Sequence, residues 1–320
     1  MNITLLDSST LSRGDIDFAP FQAFGPFTHF DQTLPADVLA RCQGAQVVIT
    51  NKVVLNSKTL GALPALKLIL ISATGVNVVD LDAAKERGIP VCNVAGYSTP
   101  SVAQHVAALL LTLATNVHRF AAELDQWPQS PIFTRLDHPV TELAGKTCGI
   151  VGLGAIGSAF AAIAESLGMS VQVFAREESG NKQRPFLTRL SAGEFFRTSD
   201  VVSLHCPLTA DNEHMINRDT LALMKSSAFL LNASRGPLID EEALADALRH
   251  DRIAGAGLDV LSVEPPPTNH PLLASDLREK NLIITPHSAW LSLESRQRLL
   301  QGLLSNLQNF IAGKPSNRVA

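Results

Sequence analysis

Three glycines in the spacing G-x-G-x-x-G constrain the fold of this chain more than any other feature: Gly152, Gly154 and Gly157. An apolar run, 147–151, precedes them and is short enough for one buried parallel strand. Apolar residues then recur at helical spacing, and a second apolar run follows at 171–174. The glycines are therefore predicted to occupy the turn of a strand–turn–helix–strand unit, the context that makes this spacing informative.

Each glycine has its own physical role in such a unit. Gly152 permits the tight turn, Gly154 lets a pyrophosphate approach the backbone, and Gly157 lets the helix pack against the strand. The first turn of the helix then offers N–H groups and a partial positive charge to phosphates. The pattern predicts a dinucleotide-binding turn. The alternative, an ordinary glycine-rich turn between a strand and a helix, is less favoured in this frame.

Length and composition restrict the class of protein. A chain of 320 residues with 46% hydrophobic and 18% charged residues is typical of a globular protein with two domains. The net charge of −4, without a dense basic block, argues against a nucleic-acid partner. The four cysteines are widely spaced and indicate neither a metal site nor a disulfide framework. We find no secretory signal, and the longest apolar run, 106–114, is too short to span a bilayer, so the default prediction is a cytoplasmic protein.

Short apolar runs alternate with helical patterns along most of the chain, which predicts parallel sheets covered by helices. Before Pro100, which indicates a domain boundary, the predicted strands are 3–6, 47–50, 68–72 and 91–94, and the helices are 36–42, 57–63 and 79–87. After Lys146 the later strands are 201–205, 228–232, 255–259 and 282–285, with helices at 191–196, 219–223 and 241–250. A last helix, 293–312, is expected to pack back on the first domain.

Two segments between these units have different patterns. Residues 101–120 predict one long helix that is apolar on nearly all sides. His105 in this helix is interpreted as a structural histidine, because no acid or cysteine lies at metal-ligand spacing from it. Residues 126–139 contain three prolines and are predicted to lack regular structure.

Three further segments follow predicted strands: NASRGPLID at 232–240, GLDVLSVEP at 257–265 and TPHSAW at 285–290. Together with the glycine turn they resemble the D-isomer-specific 2-hydroxyacid dehydrogenases. The N-terminal segments TNKVVL, SATGVNVVDLDAAKERGIPVCNV and GYSTPSVAQHVAALLL look like the glycerate dehydrogenase/hydroxypyruvate reductase branch of that family. The resemblance covers essentially the whole chain.

The resemblance implies an α/β fold of two Rossmann-like, doubly wound parallel-sheet domains with a cleft between them. Residues 1–99 plus about 291–320 would form the substrate (catalytic) domain, and residues 100–290 the dinucleotide-binding domain. A homodimer built through the cofactor domain is also implied. The segment 127–133 matches a loop that reaches the neighbouring subunit's active site in related enzymes, although its own sequence departs from theirs.

The chemistry of 2-keto acid reduction gives catalytic roles to Arg235, Glu264 and His287. His287 would be the general acid/base, because imidazole titrates near working pH. Glu264 would hold the imidazolium by a charge-assisted hydrogen bond, and Arg235 would bind the substrate carboxylate and polarise the carbonyl. Taken singly, they could instead be a helix cap, an exposed loop acid and a solvated turn residue. Their joint position at strand ends favours the active-site interpretation, since open α/β sheets bind ligands there.

The resemblance further implies which residues contact substrate and cofactor. The backbone N–H groups of Thr74, Gly75 and Val76 would receive the substrate carboxylate, and Lys52 would lie near the substrate entrance or be a plain surface lysine. The substrate contacts are completed by Arg235 and His287. The cofactor contacts would be Gly152, Gly154, Ala155, Ile156, Gly157, Ala175, Arg176, Cys206, Pro207, Asn212, Ala233, Arg235, Asp259, His287 and Ala289. No metal is expected.

Three of these residues have specific assignments. Cys206 and Pro207 would line the adenine pocket. Asp259 would touch the nicotinamide carboxamide, with capping of the following turn as the alternative.

The cofactor preference depends on the end of the second strand of the glycine unit. An NAD-preferring fold places an acidic residue there to bind the ribose 2′-OH. The resemblance puts Ala175 at that position, followed by Arg176, which could bind a 2′-phosphate. Glu177 and Glu178 follow and argue the other way, so the sequence favours NADP(H) while leaving NAD(H) open.

The leading hypothesis is an NAD(P)-dependent reductase that converts hydroxypyruvate or glyoxylate to the D-2-hydroxy acid and catalyses the reverse reaction. Phosphite oxidation could use the same three catalytic residues on the same scaffold. A third hypothesis is a dinucleotide-sensing protein of this fold, such as a corepressor, that binds the cofactor without turnover.

Overall fold

The computed structural model describes residues 1–174 and 188–320, which divide into two compact units. The first unit comprises residues 1–98 and 291–320, and the second comprises residues 99–290. No helix of these described residues has the length and apolar composition needed to span a membrane.

The first unit is built on a five-stranded parallel sheet in the order β2-β1-β3-β4-β5. Its strands are β1 Ile3–Leu5, β2 Phe27–His29, β3 Val47–Thr50, β4 Leu68–Ile71 and β5 Val91–Cys92. Its helices are α1 Val38–Cys42, α2 Ser57–Gly61, α3 Leu81–Glu86 and α10 Leu293–Ile311. The strands β3 and β4 are buried along their whole length, which explains why they read as continuous apolar runs.

The helix α10 lies near the end of the sequence, after the second unit, and packs within the first unit. Gly302 lies against Val94, where an added Cβ would come within 2.4 Å of a side-chain carbon. The buried side chain of Asn306 donates a hydrogen bond to the backbone oxygen of Asn93. The last residues continue along β5, where the N–H of Val319 donates to the oxygen of Val91.

The second unit carries a seven-stranded parallel sheet in the order β12-β11-β10-β9-β6-β7-β8. Its strands are β6 Thr147–Val151, β7 Ser170–Phe174, β8 Thr188–Arg189, β9 Val201–Leu204, β10 Phe229–Asn232, β11 Gly255–Leu258 and β12 Leu282–Ile284. Its helices are α4 Thr99–Thr115, α5 Val117–Ala122, α6 Ala155–Ser166, α7 Ala192–Thr198, α8 Arg218–Leu223 and α9 Glu241–Arg249. This is the doubly wound order: β7 and β8 are added on one side of β6, and β9 to β12 are added on the other side.

Helices cover both faces of this second sheet, so its core forms two layers. On one face Ile150 and Leu231 pack with Phe160 of α6 and with residues of α4. On the other face Val151 and Leu230 pack with residues of α7, α8 and α9. The predicted fold class, α/β with two doubly wound parallel sheets, is confirmed.

Two local predictions were wrong. The single helix predicted over 101–120 is broken at Asn116, whose φ of 50° ends α4 and starts α5. A 3₁₀-helix, Leu124–Gln129, lies partly inside the segment predicted to lack regular structure and accommodates Pro128. Proline removes one N–H donor, and this short helix tolerates that loss better than a long α-helix would.

Candidate active site

The glycine turn joins β6 to α6 at the carboxyl edge of the second sheet. Gly152 has a φ of 89°, and an added Cβ would come within 2.8 Å of the Cys206 backbone nitrogen. A Cβ on Gly157 would come within 2.2 Å of the Gly152 carbonyl oxygen. The packing of the protein itself therefore requires glycine at both positions.

Gly154 is glycine for a different reason. A Cβ added there would meet no atom of the described residues within 4 Å, and its φ of −77° suits any L-amino acid. Gly154 is also the N-cap of α6 and has no side chain to occupy the space before the first helical N–H groups, at Ala155 and Ile156. This open cradle fits a pyrophosphate at the helix N-terminus.

His205 lies beneath this turn, one residue beyond β9. Its N–H donates to the Val151 oxygen, and its ring packs against Phe160 with 5.5 Å between ring centroids. The imidazole Nε2 is 2.8 Å from the Ser203 hydroxyl. Burial lowers the pKa of His205 to about 4, so the imidazole is neutral at physiological pH and adds no charge below the phosphate cradle.

Glu264 and His287 form a hydrogen-bonded pair in the same unit. His287 Nδ1 is 2.7 Å from Glu264 Oε2, and both side chains are about one-third exposed. The other carboxylate oxygen, Oε1, accepts the N–H of Leu261 at 3.0 Å. Because a carboxylate only accepts, Nδ1 carries the proton, and Nε2 is the nitrogen that can exchange a proton with a ligand.

Asp259 shapes the turn that carries His287. His287 has a φ of 52°, and its N–H donates to the Asp259 carbonyl oxygen at 2.8 Å. The Asp259 carboxylate accepts the N–H of Ser288 at 2.8 Å and the N–H of Ala289 at 2.9 Å. Three successive N–H groups therefore bond to one residue, which holds His287 in a left-handed conformation that side chains rarely adopt.

The same carboxylate is almost fully enclosed, with Asp259 only 1% exposed. Thr285 donates its hydroxyl proton to Asp259 Oδ1 at 2.6 Å, and His105 Nε2 donates to the Thr285 oxygen at 2.9 Å. The Asp259 carboxylate thus caps the turn that follows β12, and not the turn directly after Asp259 that the alternative interpretation named. A cofactor contact for Asp259 stays a prediction. The interpretation of His105 as a structural histidine also stays a prediction.

Arg235 begins the 3₁₀-helix Gly236–Leu238 directly after β10, and does not cap a helix C-terminus. Its guanidinium donates to the Ser234 oxygen at 2.6 Å, and its own backbone oxygen accepts the Asn232 side-chain amide at 2.9 Å. Arg235 is half-buried, so its guanidinium is held beside the strand end.

The remaining cofactor residues predicted in this unit also follow strands. Asn212 folds back onto the loop after β9, where its amide donates to the Pro207 oxygen at 2.8 Å and lies 3.7 Å from the Cys206 sulfur. Ala233 follows β10 and is half-buried, and Ala289 is buried. The predicted contacts at Ala175 and Arg176 lie outside the described residues.

The predicted substrate residues of the first unit follow β3 and β4. The Lys52 side chain is exposed, while its N–H donates to the buried Asp7 carboxylate at 2.7 Å. Burial raises the pKa of Asp7, and hydrogen bonds from this turn oppose the rise. No acceptor among the residues described meets the N–H groups of Thr74, Gly75 or Val76, which leaves three successive donors at the end of β4.

Some residues that support these segments were missed by sequence reasoning. The Asn93 amide donates to the Thr74 oxygen at 2.7 Å and so fixes the turn that follows β4. Asp7 holds the Lys52 turn, and Glu241 and His270 lie behind the Glu264 segment. An acidic residue directly after an apolar strand could have indicated the role of Asp7. No motif in the sequence indicates the roles of Asn93, Glu241 and His270.

Comparison with known proteins adds to this geometry. A family model described as "D-isomer specific 2-hydroxyacid dehydrogenase, NAD binding domain" matches residues 107–289. The chain is 39% identical to a hydroxypyruvate reductase of Blautia hydrogenotrophica, over 100% of this chain and 99% of the relative. It is 42% identical to a glycerate dehydrogenase of Methylorubrum extorquens, over 89% and 88% of the two chains.

Solved structures show the same similarity. An acyclic imino acid reductase in complex with NADPH and D-Arg is 28% identical and superposes with a TM-score of 0.86 over 100% of both chains. The glycine turn, the Glu264–His287 pair and Arg235 therefore lie on a backbone that is similar to that of a reductase whose structure contains NADPH.

Proposed function

Since the chain belongs to the D-isomer-specific 2-hydroxyacid dehydrogenase family, we propose that it reduces hydroxypyruvate or glyoxylate to the D-2-hydroxy acid and catalyses the reverse oxidation. The relatives named hydroxypyruvate reductase and glycerate dehydrogenase support this substrate class. The observation that carries the proposal is the 2.7 Å hydrogen bond between His287 and Glu264, because it orients an imidazole for proton exchange through Nε2.

The proposed mechanism assigns each step of proton and charge handling to a residue. A nicotinamide dinucleotide, when bound, supplies hydride to the substrate C2 or accepts it in the reverse direction. His287 donates a proton from Nε2 to the keto oxygen, and Glu264 stabilises the imidazolium that precedes this transfer. Arg235 binds the substrate carboxylate and polarises the carbonyl.

The dinucleotide would lie with its pyrophosphate over Gly154 and the first turn of α6. We propose NADP(H) as the preferred form, since Ala175 leaves no acid for a 2′-OH and Arg176 can bind a 2′-phosphate. A higher kcat/KM with NADPH than with NADH is expected, and the reverse ratio would contradict it.

We also propose that the protein forms a homodimer through the unit that carries the glycine turn. The segment 124–140 exposes large apolar side chains that a monomer would leave in water: Leu124, Trp127, Ile132, Phe133, Leu136 and Val140. Sedimentation should give twice the chain mass of 34.2 kDa, and Phe133→Ser with Leu136→Ser should shift the protein to monomer. The matched control is Leu34→Ser, which removes an exposed apolar side chain from the other unit. A wild-type monomer at micromolar concentration would refute the dimer.

The test of function is turnover by purified protein. Hydroxypyruvate, glyoxylate, pyruvate and phenylpyruvate are each assayed with NADPH and NADH, and oxidation of the cofactor is followed by its absorbance. We expect turnover with hydroxypyruvate or glyoxylate, and a loss of at least about 100-fold in kcat for His287→Gln with little change in cofactor affinity. Tight cofactor binding without turnover of any keto acid would favour the sensing hypothesis, and turnover of phosphite alone would favour phosphite oxidation.

A further inference from the structure

A buried carboxylate–imidazole pair lies behind the segment that carries Glu264. Glu241, the first residue of α9, and His270 are hydrogen-bonded at 3.0 Å, and their side chains are only 12% and 5% exposed. The second oxygen of Glu241, Oε1, accepts the N–H of Ser262 at 2.8 Å. Glu241 thus connects a helix to the loop that follows β11.

A hydrogen bond from the backbone of Leu272 fixes which ring nitrogen of His270 carries the proton. His270 Nδ1 accepts the N–H of Leu272 at 3.3 Å, so the ring proton lies on Nε2 and is donated to Glu241. Both carboxylate oxygens of Glu241 therefore accept from fixed donors. A carboxylate bonded in this way favours one orientation, because rotation away from it would leave the buried Nε2–H of His270 without its acceptor.

The segment held by Glu241 is the one that delivers Glu264 to His287. Glu264 accepts the N–H of Leu261, and Glu241 accepts the next N–H, that of Ser262. The backbone of this segment also packs tightly against Gly236, where an added Cβ would come within 2.0 Å of the Leu261 carbonyl carbon. The two glutamates bind consecutive amides, so the position of Glu264 depends on the position of Glu241.

We propose that Glu241 is a positioning residue for the Glu264–His287 pair, and that His270 fixes the orientation of Glu241. Neither residue touches the reacting atoms. Glu241 holds 261–264 against α9, so that the Glu264 carboxylate stays within hydrogen-bond distance of His287. This inference rests on the proposed function of His287 as general acid/base.

Glu241→Gln is the sharpest variant, because it keeps the size of the side chain. In either orientation the new amide group turns N–H groups toward Ser262 or His270, so one hydrogen bond is lost. We expect kcat to fall about 10-fold to 100-fold with the KM for the keto acid changed less than about threefold, since a small misplacement of an acid/base group slows the chemical step. The matched control is Glu242→Gln, an exposed carboxylate in the same first turn, which should leave kcat unchanged.

A double-mutant cycle separates positioning from a general structural role. If Glu241 acts through Glu264, then Glu241→Gln should change kcat by less than about twofold in a Glu264→Gln background. An equal loss in both backgrounds would overturn the proposal. His270→Gln keeps an N–H donor near Glu241 and should retain most activity, whereas His270→Phe should behave like Glu241→Gln. Equal activity of the two His270 variants would also overturn it.

A readout without turnover keeps this inference apart from the proposed function. The protonation midpoint of His287 is followed by NMR, with its signal assigned through His287→Gln. In Glu241→Gln the midpoint should move toward the value in Glu264→Gln, while Glu242→Gln should match wild type. An unchanged midpoint would overturn the positioning role. Absence of keto-acid turnover in the wild type would instead refute the proposed function and leave the NMR result standing.

Discussion

At the scale of single residues, the orientation of one imidazole determines the chemistry that this site can perform. Glu264 accepts from Nδ1 of His287, and Asp259 holds the backbone of His287 through three successive N–H groups. The ring is thus fixed both at its side chain and at its backbone. Fixed orientation favours proton transfer, because the transition state then needs little rearrangement.

Replacing Glu264 by Gln should lower kcat, and the loss should be smaller at acid pH than at alkaline pH. The Glu264 carboxylate accepts the Nδ1 proton of His287 and stabilises the imidazolium by a charge-assisted hydrogen bond, which Gln cannot supply. For keto-acid reduction, which needs the protonated ring, the kcat of Glu264→Gln should therefore fall more at pH 8 than at pH 6. Steady-state kinetics between pH 5 and 9 measure this.

The matched control for this variant is Glu279→Gln, which removes an exposed carboxylate of the same unit. Its profile should coincide with that of wild type. If Glu264→Gln lowered kcat equally at every pH, the carboxylate would orient the ring without affecting its protonation.

At the scale of elements, the turn between β6 and α6 combines two kinds of glycine. Gly152 and Gly157 are required by contacts inside the protein, whereas Gly154 borders space that no described atom fills. The helix N-terminus behind Gly154 then supplies N–H donors and a partial positive charge. Folding therefore requires two positions of this short motif, and the proposed dinucleotide binding would use the third.

Substitutions at Gly157 and Gly154 should separate these two roles. Gly157→Ala places a Cβ near the Gly152 oxygen and should destabilise the fold by about 1–3 kcal/mol. Gly154→Val should lower the free energy of unfolding by about 1 kcal/mol at most, since Val is a poorer N-cap than Gly. It should weaken dinucleotide binding at least about tenfold, because its side chain fills the cradle. Denaturant unfolding and cofactor titration measure the two effects. A stable Gly154→Val protein with wild-type cofactor affinity would refute the cradle.

At the scale of the whole molecule, buried titratable groups couple folding to pH. Burial raises the pKa of Cys148 to about 12 and that of Cys42 to about 11, so both thiols remain protonated inside the core at physiological pH. Burial lowers the pKa of a base, so His205 beneath the glycine turn is neutral at physiological pH. In the unfolded chain, His205 is the one of these three groups whose charge changes between pH 4 and 7, because a histidine titrates near pH 6.5 and a cysteine above pH 8.

His205 should make the fold less stable as the pH falls. Its pKa is about 4 in the folded chain and near 6.5 in an unfolded one, so between these values only the unfolded state binds the proton. The free energy of unfolding should therefore decrease as the pH is lowered from 6.5 to 4, by about 3 kcal/mol at most from this residue. His205→Gln should flatten that decrease in denaturant melts at pH 7 and pH 4.5. The exposed His250→Gln serves as the control, and a slope unchanged by His205→Gln would contradict this account.

The sequence by itself determined most of the strands and helices in their order, the position of the glycine turn and the types of residue at the strand ends. These features are local, because apolar periodicity and the demand for glycine act over a few neighbouring residues. The strand 147–151 was predicted with the bounds of β6, and the helix after it ends near Gly168, which has a φ of 78°. The three-residue edge strand β2 was missed because so short a segment has little periodic signal.

The tertiary structure decided contacts that no motif in the sequence indicated. Glu241 meets His270 across 29 residues of sequence. The pairing of Glu264 with His287, across 23 residues, was expected from the chemistry and the family resemblance, and the structure supplies its geometry. The side chain of Asp259 turned out to hold the His287 turn, 29 residues away, rather than the turn that follows it. Such pairs form because parallel strands bring their carboxyl ends to one edge of a sheet, and pattern along the chain carries no record of which loops then come within hydrogen-bond distance.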